Sequence, residues 1–257
     1  MDNNEFDIIV EDLEKSFGEI SNSITVLKNV SFKIKRSEIF CLLGPSGCGK
    51  STLLKILLNL IPKTSGKITV DFERSKQIAY VQQHSLLLPW RNLLQNASIG
   101  TELRKDLHPD TIDRIYNRIQ EYGLKGFEEK FPSELSGGMK QRVDIIRAVE
   151  SRPLLLFCDE PFSAIDFVTR LDLCAKFKKM CHLGRMTTLF VTHNIEEAIF
   201  LGDTVAVMSG RPGRVISIHD TTFPSLDKYN AVECRESKEF IELFRKIWED
   251  LKNNYEN

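Results

Sequence analysis

In the stretch Gly44-Pro45-Ser46-Gly47-Cys48-Gly49-Lys50-Ser51-Thr52, the first eight residues fit the spacing G-x-x-x-x-G-K-[ST], in which glycines let backbone N–H groups turn toward an anion. The apolar run Ile39-Phe40-Cys41-Leu42-Leu43 precedes them and reads as a buried parallel strand. Leu53, Leu54, Ile56, Leu57, Leu58 and Leu60 follow as the apolar part of a helix, so the loop opens onto a helix N-terminus. The chemistry this permits is the holding of a phosphate chain, with Lys50 reaching the β- and γ-phosphates and Ser51 binding Mg²⁺. The alternative is a glycine-rich turn without a ligand. Cys48, between these glycines and beside Lys50, is expected to favour the thiolate and to be open to alkylation.

A second apolar run, Leu154 to Phe157, ends in Cys158-Asp159-Glu160-Pro161. Ligands of open α/β sheets bind at the carboxyl ends of strands, so Asp159 is a candidate to hold Mg²⁺ and Glu160 to polarise an attacking water. A pair of acids opening a turn before Pro161 is the plainer reading. His193 directly follows the strand Thr187 to Val191 and belongs on the same edge, although a lone histidine is often structural. Ser136-Gly137-Gly138 opens a helix, where Ser136 caps it and Gly138 admits close backbone approach. It is either a second anion-binding surface, for a nucleotide held by another chain, or a capped surface helix.

These residues need a scaffold. The chain has 257 residues, 42% hydrophobic and 28% charged, with a formal net charge of −1, so no global field attracts nucleic acid or anionic lipid. Six scattered cysteines lack C-x-x-C spacing and suit a reducing cytosol. Residues 1–20 are acidic and lack a secretory pattern, and no apolar run reaches membrane-span length, so a membrane role is expected to be peripheral.

The alternations Phe6, Ile8, Val10 and Val30, Phe32, Ile34 predict antiparallel strands beside a parallel core, and 66–70 and 78–81 predict two further strands. From His84 to about Arg152 the pattern turns helical, predicting an inserted subdomain. Strand and helix then alternate: a helix near 167–180, a strand at 187–191, a helix at 194–201 and a strand at 204–208. Phe240, Phe244, Ile247, Trp248 and Leu251 form one apolar stripe, read as core packing rather than a partner site.

The phosphate loop, Gln83, Leu135-Ser136-Gly137-Gly138-Met139-Lys140-Gln141, Leu154 to Glu160, Ser163-Ala164-Ile165-Asp166 and His193 occur in the order found in ABC transporter ATPase subunits. The chain resembles that family over nearly its whole length. The resemblance implies an α/β P-loop NTPase core of the ABC ATPase type, with a mixed, mostly parallel sheet and flanking antiparallel strands. Residues 1–83 and 153–257 would form the core and 84–152 the helical signature subdomain.

It further implies Mg-dependent ATP hydrolysis with ATP and Mg²⁺ as cofactors. Glu160, His193, Lys50 and Gln83 would be catalytic, with Ser51, Gln83 and Asp159 at the metal. Phe17 would stack on adenine, unless it is a strand-end core aromatic. Gly44, Pro45, Ser46, Gly47, Cys48, Gly49, Lys50, Ser51 and Thr52 would cradle the phosphates. Ser136, Gly137, Gly138, Gln141 and Asp166 would touch the nucleotide of a second copy in a head-to-tail homodimer. The implied partners are an integral membrane permease and, indirectly, a solute-binding protein, without nucleic acid, at the cytoplasmic face of the plasma (inner) membrane.

Leu88-Pro89-Trp90, Asn92 to Gly100 and Met208 to Gly213 look like the nitrate, sulfonate and taurine importers, and importers of thiamine-precursor pyrimidines carry similar stretches. A soluble, non-transport ABC ATPase is the rival within the family; a GTPase would need an N-K-x-D motif, which is absent. Cys158 and Ile165 depart from the usual residues while staying apolar. Asp144 and Glu150 place acids in the signature helix, where small residues are commoner.

Overall fold

The computed structural model describes residues 5–19, 22–75, 77–105, 108–223 and 227–254; the ends of the expected core, 1–4 and 255–257, lie outside this set. Strands β1 (Phe6–Phe17) and β2 (Ile24–Lys35) pair antiparallel, and β4 (Ser65–Val70) pairs with the other side of β1, giving a three-stranded sheet. The second sheet has the order β5 (Ile78–Val81), β6 (Leu155–Asp159), β7 (Thr187–Thr192), β3 (Ile39–Leu43), β8 (Thr204–Met208) and β9 (Val215–Asp220). Its first five members run parallel and β9 closes the edge antiparallel.

All five residues of β3 are buried because both faces are covered. Ile39, Cys41 and Leu43 enter the core beneath the helices, while Phe40 and Leu42 enter the core between the two sheets. This is the period-two alternation of a strand, hidden in sequence because both faces demand apolar residues.

The helices are α1 (Lys50–Leu57), α2 (Phe72–Ser75), α3 (Leu93–Leu103), α4 (Pro109–Glu121), α5 (Gly137–Glu150), α6 (Phe167–Leu183), α7 (Ile195–Leu201), α8 (Ala231–Glu236) and α9 (Lys238–Asn253). The three helices α3, α4 and α5 lie between β5 and β6 in the chain. Asn92 and Gln95 form a capping box at the start of α3, and the fully buried Asn96 accepts from Leu88 N and donates to the Leu88, Arg91 and Asn92 carbonyls. One amide thus fixes the loop from 88 to 92.

The acids of α5 have partners. Glu150 is 3% exposed and accepts from Arg114 Nε at 2.7 Å and Arg118 Nε at 3.2 Å, tying α4 to α5. Asp144 is buried and pairs with Arg147 one turn on, yet burial still pushes its carboxyl up.

Beyond residue 208 the fold differs from the expectation. Strand β9 and helix α8 were not predicted, since Arg214-Val215-Ile216-Ser217-Ile218 pairs only with β8 and shows no clean apolar face. Of the C-terminal stripe, Phe240 and Ile247 are buried in the core, whereas Trp248 is 56% exposed. Trp248 and Leu251 line a hollow of about 370 Å³ together with Pro45 and His193. All six cysteines are free and buried. Among the described residues no helix is long and apolar enough to cross a membrane.

Candidate functional site

The phosphate loop leaves β3 at Gly44 and returns into α1 at Lys50. Gly47 and Gly49 have φ of +78° and +111°. A Cβ at Gly49 would stand 2.7 Å from the Leu27 side chain, so this position needs glycine twice over, for backbone angle and for space. No side chain caps the N-terminus of α1, which leaves its first N–H groups for an anion. Lys50 is buried and folds back to donate to the Gly44 and Pro45 carbonyls at 2.7 and 2.9 Å.

A cavity of about 520 Å³ opens above this loop. Ser46, Gly47, Gly49, Lys50, Ser51 and Thr52 form its floor, and Phe17, Ile24 and Val26 form an apolar wall. Phe17, at the end of β1, is 44% exposed, and Lys15 Nζ lies 4.6 Å from its ring centroid. An apolar wall and an amide-lined, cationic floor fit a molecule with a flat ring at one end and phosphates at the other.

Sheet register brings the acids to the same edge. Asp159 pairs with Val191, and Leu43 with Thr192, so Gly44, Glu160 and His193 all emerge at neighbouring strand ends. Asp159 is 5% exposed and accepts from Ser51 Oγ at 3.1 Å. Burial pushes its carboxyl up, and the adjacent Glu160 adds to the rise. Ser51 Oγ and Asp159 offer hard oxygen donors at one point, the kind of donor Mg²⁺ prefers.

Glu160 has φ +46°, and its N–H donates to Val191 O at 3.0 Å. Its Oε2 lies 2.9 Å from His193 Nδ1 and accepts from Gln83 Nε2 at 3.5 Å. Glu160 and Gln83 line the cavity, so the three side chains converge at the phosphate-loop end. A carboxylate held this way can accept a proton from a water, with the imidazole and amide fixing its orientation.

The remaining predicted residues lie elsewhere. Ser136 caps α5, accepting from Met139 N at 3.3 Å, and with Gly137 is exposed, off the cavity lining. A Cβ at Gly138 would stand 3.0 Å from Ala164 O, which packs this turn against the Ser163 to Asp166 loop. Asp166 caps α6 through Thr169 N at 3.0 Å, and that N–H holds its carboxyl below the usual range.

Two expectations are corrected. Gln141 is not turned outward toward a second copy: it is 4% exposed, donates to Gln83 O at 3.2 Å and Ser163 Oγ at 3.0 Å, and accepts from Ala164 N at 3.0 Å. Its amide ties the Gln83 loop to the Ser163 to Asp166 loop within one chain. Cys48 is 1% exposed and outside the cavity lining, and burial raises its thiol despite Lys50 and Arg211 nearby, so its surroundings work against the thiolate.

Ile24, Val26 and Arg211 line the cavity but escaped the sequence reading, and Arg211 is the charged one. Arg211 lines the cavity and donates to Gly47 O from Nε and Nη2 at 3.3 and 3.1 Å. The available signal was an arginine just past β8, a strand whose Val207 pairs with Leu43 beside the phosphate loop.

The ABC transporter family profile matches residues 27–163. An uncharacterised ABC transporter ATP-binding protein of Methanocaldococcus jannaschii is 37% identical over 95% of this chain and 91% of its own. An aliphatic sulfonates import ATP-binding protein of Bacillus cereus is 34% identical over 93% of this chain and 94% of its own. Among solved structures, a dimeric post-hydrolysis ATP-binding cassette bound to ADP and Pi superposes with a TM-score of 0.71 and 26% identity, covering 84% of this chain and 99% of that one. Phosphate loop, strand-end acids and matched sequence agree: the chain belongs to the ABC transporter family, as an ATP-binding subunit.

Proposed function

We propose that this chain hydrolyses ATP, with Mg²⁺, to drive uptake of a small organic oxyanion of the sulfonate kind through a separate permease. The observation that carries the hydrolytic reading is the convergence of Gln83 and His193 on Glu160 Oε2 at the edge of the phosphate-loop cavity. The solute class rests on relatives named as aliphatic sulfonate importers that match most of the chain.

Mg²⁺, when bound, would be held by Ser51, Asp159 and Gln83 and would neutralise charge on the phosphates. Lys50 exchanges its two backbone carbonyls for phosphate oxygens, and the uncapped amides of α1 orient the same group. Glu160 takes the proton of the attacking water, and His193 holds that carboxylate in place. Phe17 supports the base by its ring face.

Residues 84–152 act as a helical subdomain on a core formed by 1–83 and 153–257. Ser136, Gly137, Gly138 and Asp166 face the nucleotide of a second copy in a head-to-tail homodimer. Gln141 passes the position of the Gln83 loop to the Ser163 to Asp166 loop. Closure of the dimer acts on a permease at the cytoplasmic face of the plasma (inner) membrane, and a solute-binding protein delivers the cargo.

Phosphate release from Mg-ATP by the purified chain is the direct test, and a folded chain without turnover would sink the hydrolytic reading. Co-purification of a membrane partner, followed by reconstitution with candidate sulfonates and their binding protein, tests the transport reading. Stimulation only by an unrelated solute would overturn the cargo class.

A further inference from the structure

The turn from Met208 to Gly213 lies against the back of the phosphate loop. A Cβ at Gly213 would stand 2.2 Å from Cys48 O, and one at Gly44 would stand 3.0 Å from the Met208 side chain. Gly213 N donates to Val26 O at 2.8 Å and Gly213 O accepts from Lys28 N at 3.0 Å, which joins the turn to β2. Ser209 Oγ accepts from Arg214 N at 3.0 Å and donates to Gly210 O at 3.0 Å, closing the turn on itself. Arg211 therefore projects from a fixed mount and not from a loose loop.

Its guanidinium grips Gly47 O through Nε and Nη2 and still forms part of the cavity lining. A guanidinium carries more N–H donors than one carbonyl can take up, and its planar fork suits phosphate oxygens. Gly47 is the loop residue with φ +78°, so the grip fixes the peptide that the left-handed turn presents. Lys50 is the other cation of the cavity floor, and a polyphosphate carries more negative charge than one ammonium neutralises.

We propose that Arg211 is a nucleotide-positioning residue: it braces the phosphate loop through Gly47 and presents its remaining donors to the polyphosphate of the bound nucleotide. This rests on the ATP reading above. Because Arg211 is absent from the Gln83, Glu160 and His193 cluster, its contribution falls on binding and not on the hydrolytic step.

The test uses the full chain, with Mg-ADP affinity measured by calorimetry and phosphate release measured against ATP concentration. Arg211→Gln, which keeps a donor for Gly47 without the charge, is expected to weaken Mg-ADP binding and raise KM for ATP about tenfold, with kcat within about twofold. Arg211→Lys is expected to recover most of that loss, and both variants should melt with the wild type when nucleotide is absent. Wild-type affinity in both variants would overturn the proposal. So would a loss seen in kcat alone, or an equal loss in both variants accompanied by a lowered melting temperature. A wild-type chain that binds neither ADP nor ATP overturns the ATP reading as well, a result distinct from a loss confined to the Arg211 variants.

Discussion

His193 Nδ1 and Glu160 Oε2 lie 2.9 Å apart across the ends of two neighbouring parallel strands. The contact needs no long loop, because β6 and β7 deliver both residues to one edge in register. Gln83 reaches the same oxygen from the end of β5, the next strand of the sheet.

Replacing the carboxylate by its amide should separate binding from chemistry. Glu160→Gln is expected to lower turnover by about a hundredfold or more while ATP affinity stays within a few-fold. The variant should elute as a dimer with ATP in size-exclusion chromatography. Steady-state hydrolysis at the wild-type rate would remove Glu160 from the chemistry.

Phe17 offers its ring to the cavity from the end of β1. Stacking contributes about 0.5–1.5 kcal/mol beyond area burial, so Phe17→Ala should weaken ATP binding roughly three- to tenfold, and Phe17→Tyr should restore it. A fluorescence titration decides between this and a ring that only ends a strand.

Glu150 is a buried carboxylate between two part-exposed arginines. Removing Glu150 strips Arg114 of this carboxylate while Arg118 keeps Glu121, so the loss is that of charge-assisted hydrogen bonds, about 1.5–3 kcal/mol. Glu150→Ala should therefore show a large drop in urea midpoint, with Glu150→Gln retaining part of the loss. A midpoint equal to the wild type would mean that α4 and α5 are held by apolar packing alone.

The thiols set an alkaline limit. Burial raises all six, Cys181 to about 12. The unfolded chain loses these protons near the ordinary thiol value of about 8.5, while the folded chain keeps them. The folded state then binds more protons, so stability falls as pH rises above about 8.5, by up to ~1.4 kcal/mol per pH unit for each thiol. Melting curves from pH 7 to 10 under reducing conditions should fall progressively, less steeply for Cys181→Ala. At pH 7 a thiol reagent should label the folded chain slowly, with or without Mg-ATP; rapid labelling of Cys48 would contradict its burial.

The phosphate loop was legible because its chemistry is local: nine adjacent residues specify the turn, the cation and the helix start. Asp159, Glu160 and His193 were legible because each terminates an apolar run. Gln141 was misread because its partners lie 58 and 22 residues away, and nothing on α5 says which face meets them. Cys48 was misread because nearness to Lys50 in sequence suggests a thiolate, while the core cluster that buries it draws on Leu27 and Met208, far away in sequence. Arg211 was passed over for the same reason, since its acceptor stands 164 residues earlier.

The left-handed backbone of Glu160 is part of how its carboxylate is held. A residue with a side chain at φ +46° sits about 1–2 kcal/mol above a relaxed one, and here a cross-strand hydrogen bond from its own N–H keeps it there. The sheet itself fixes that conformation, so on the proposed reading the carboxylate that takes the proton is aimed by its own strand and not by the nucleotide.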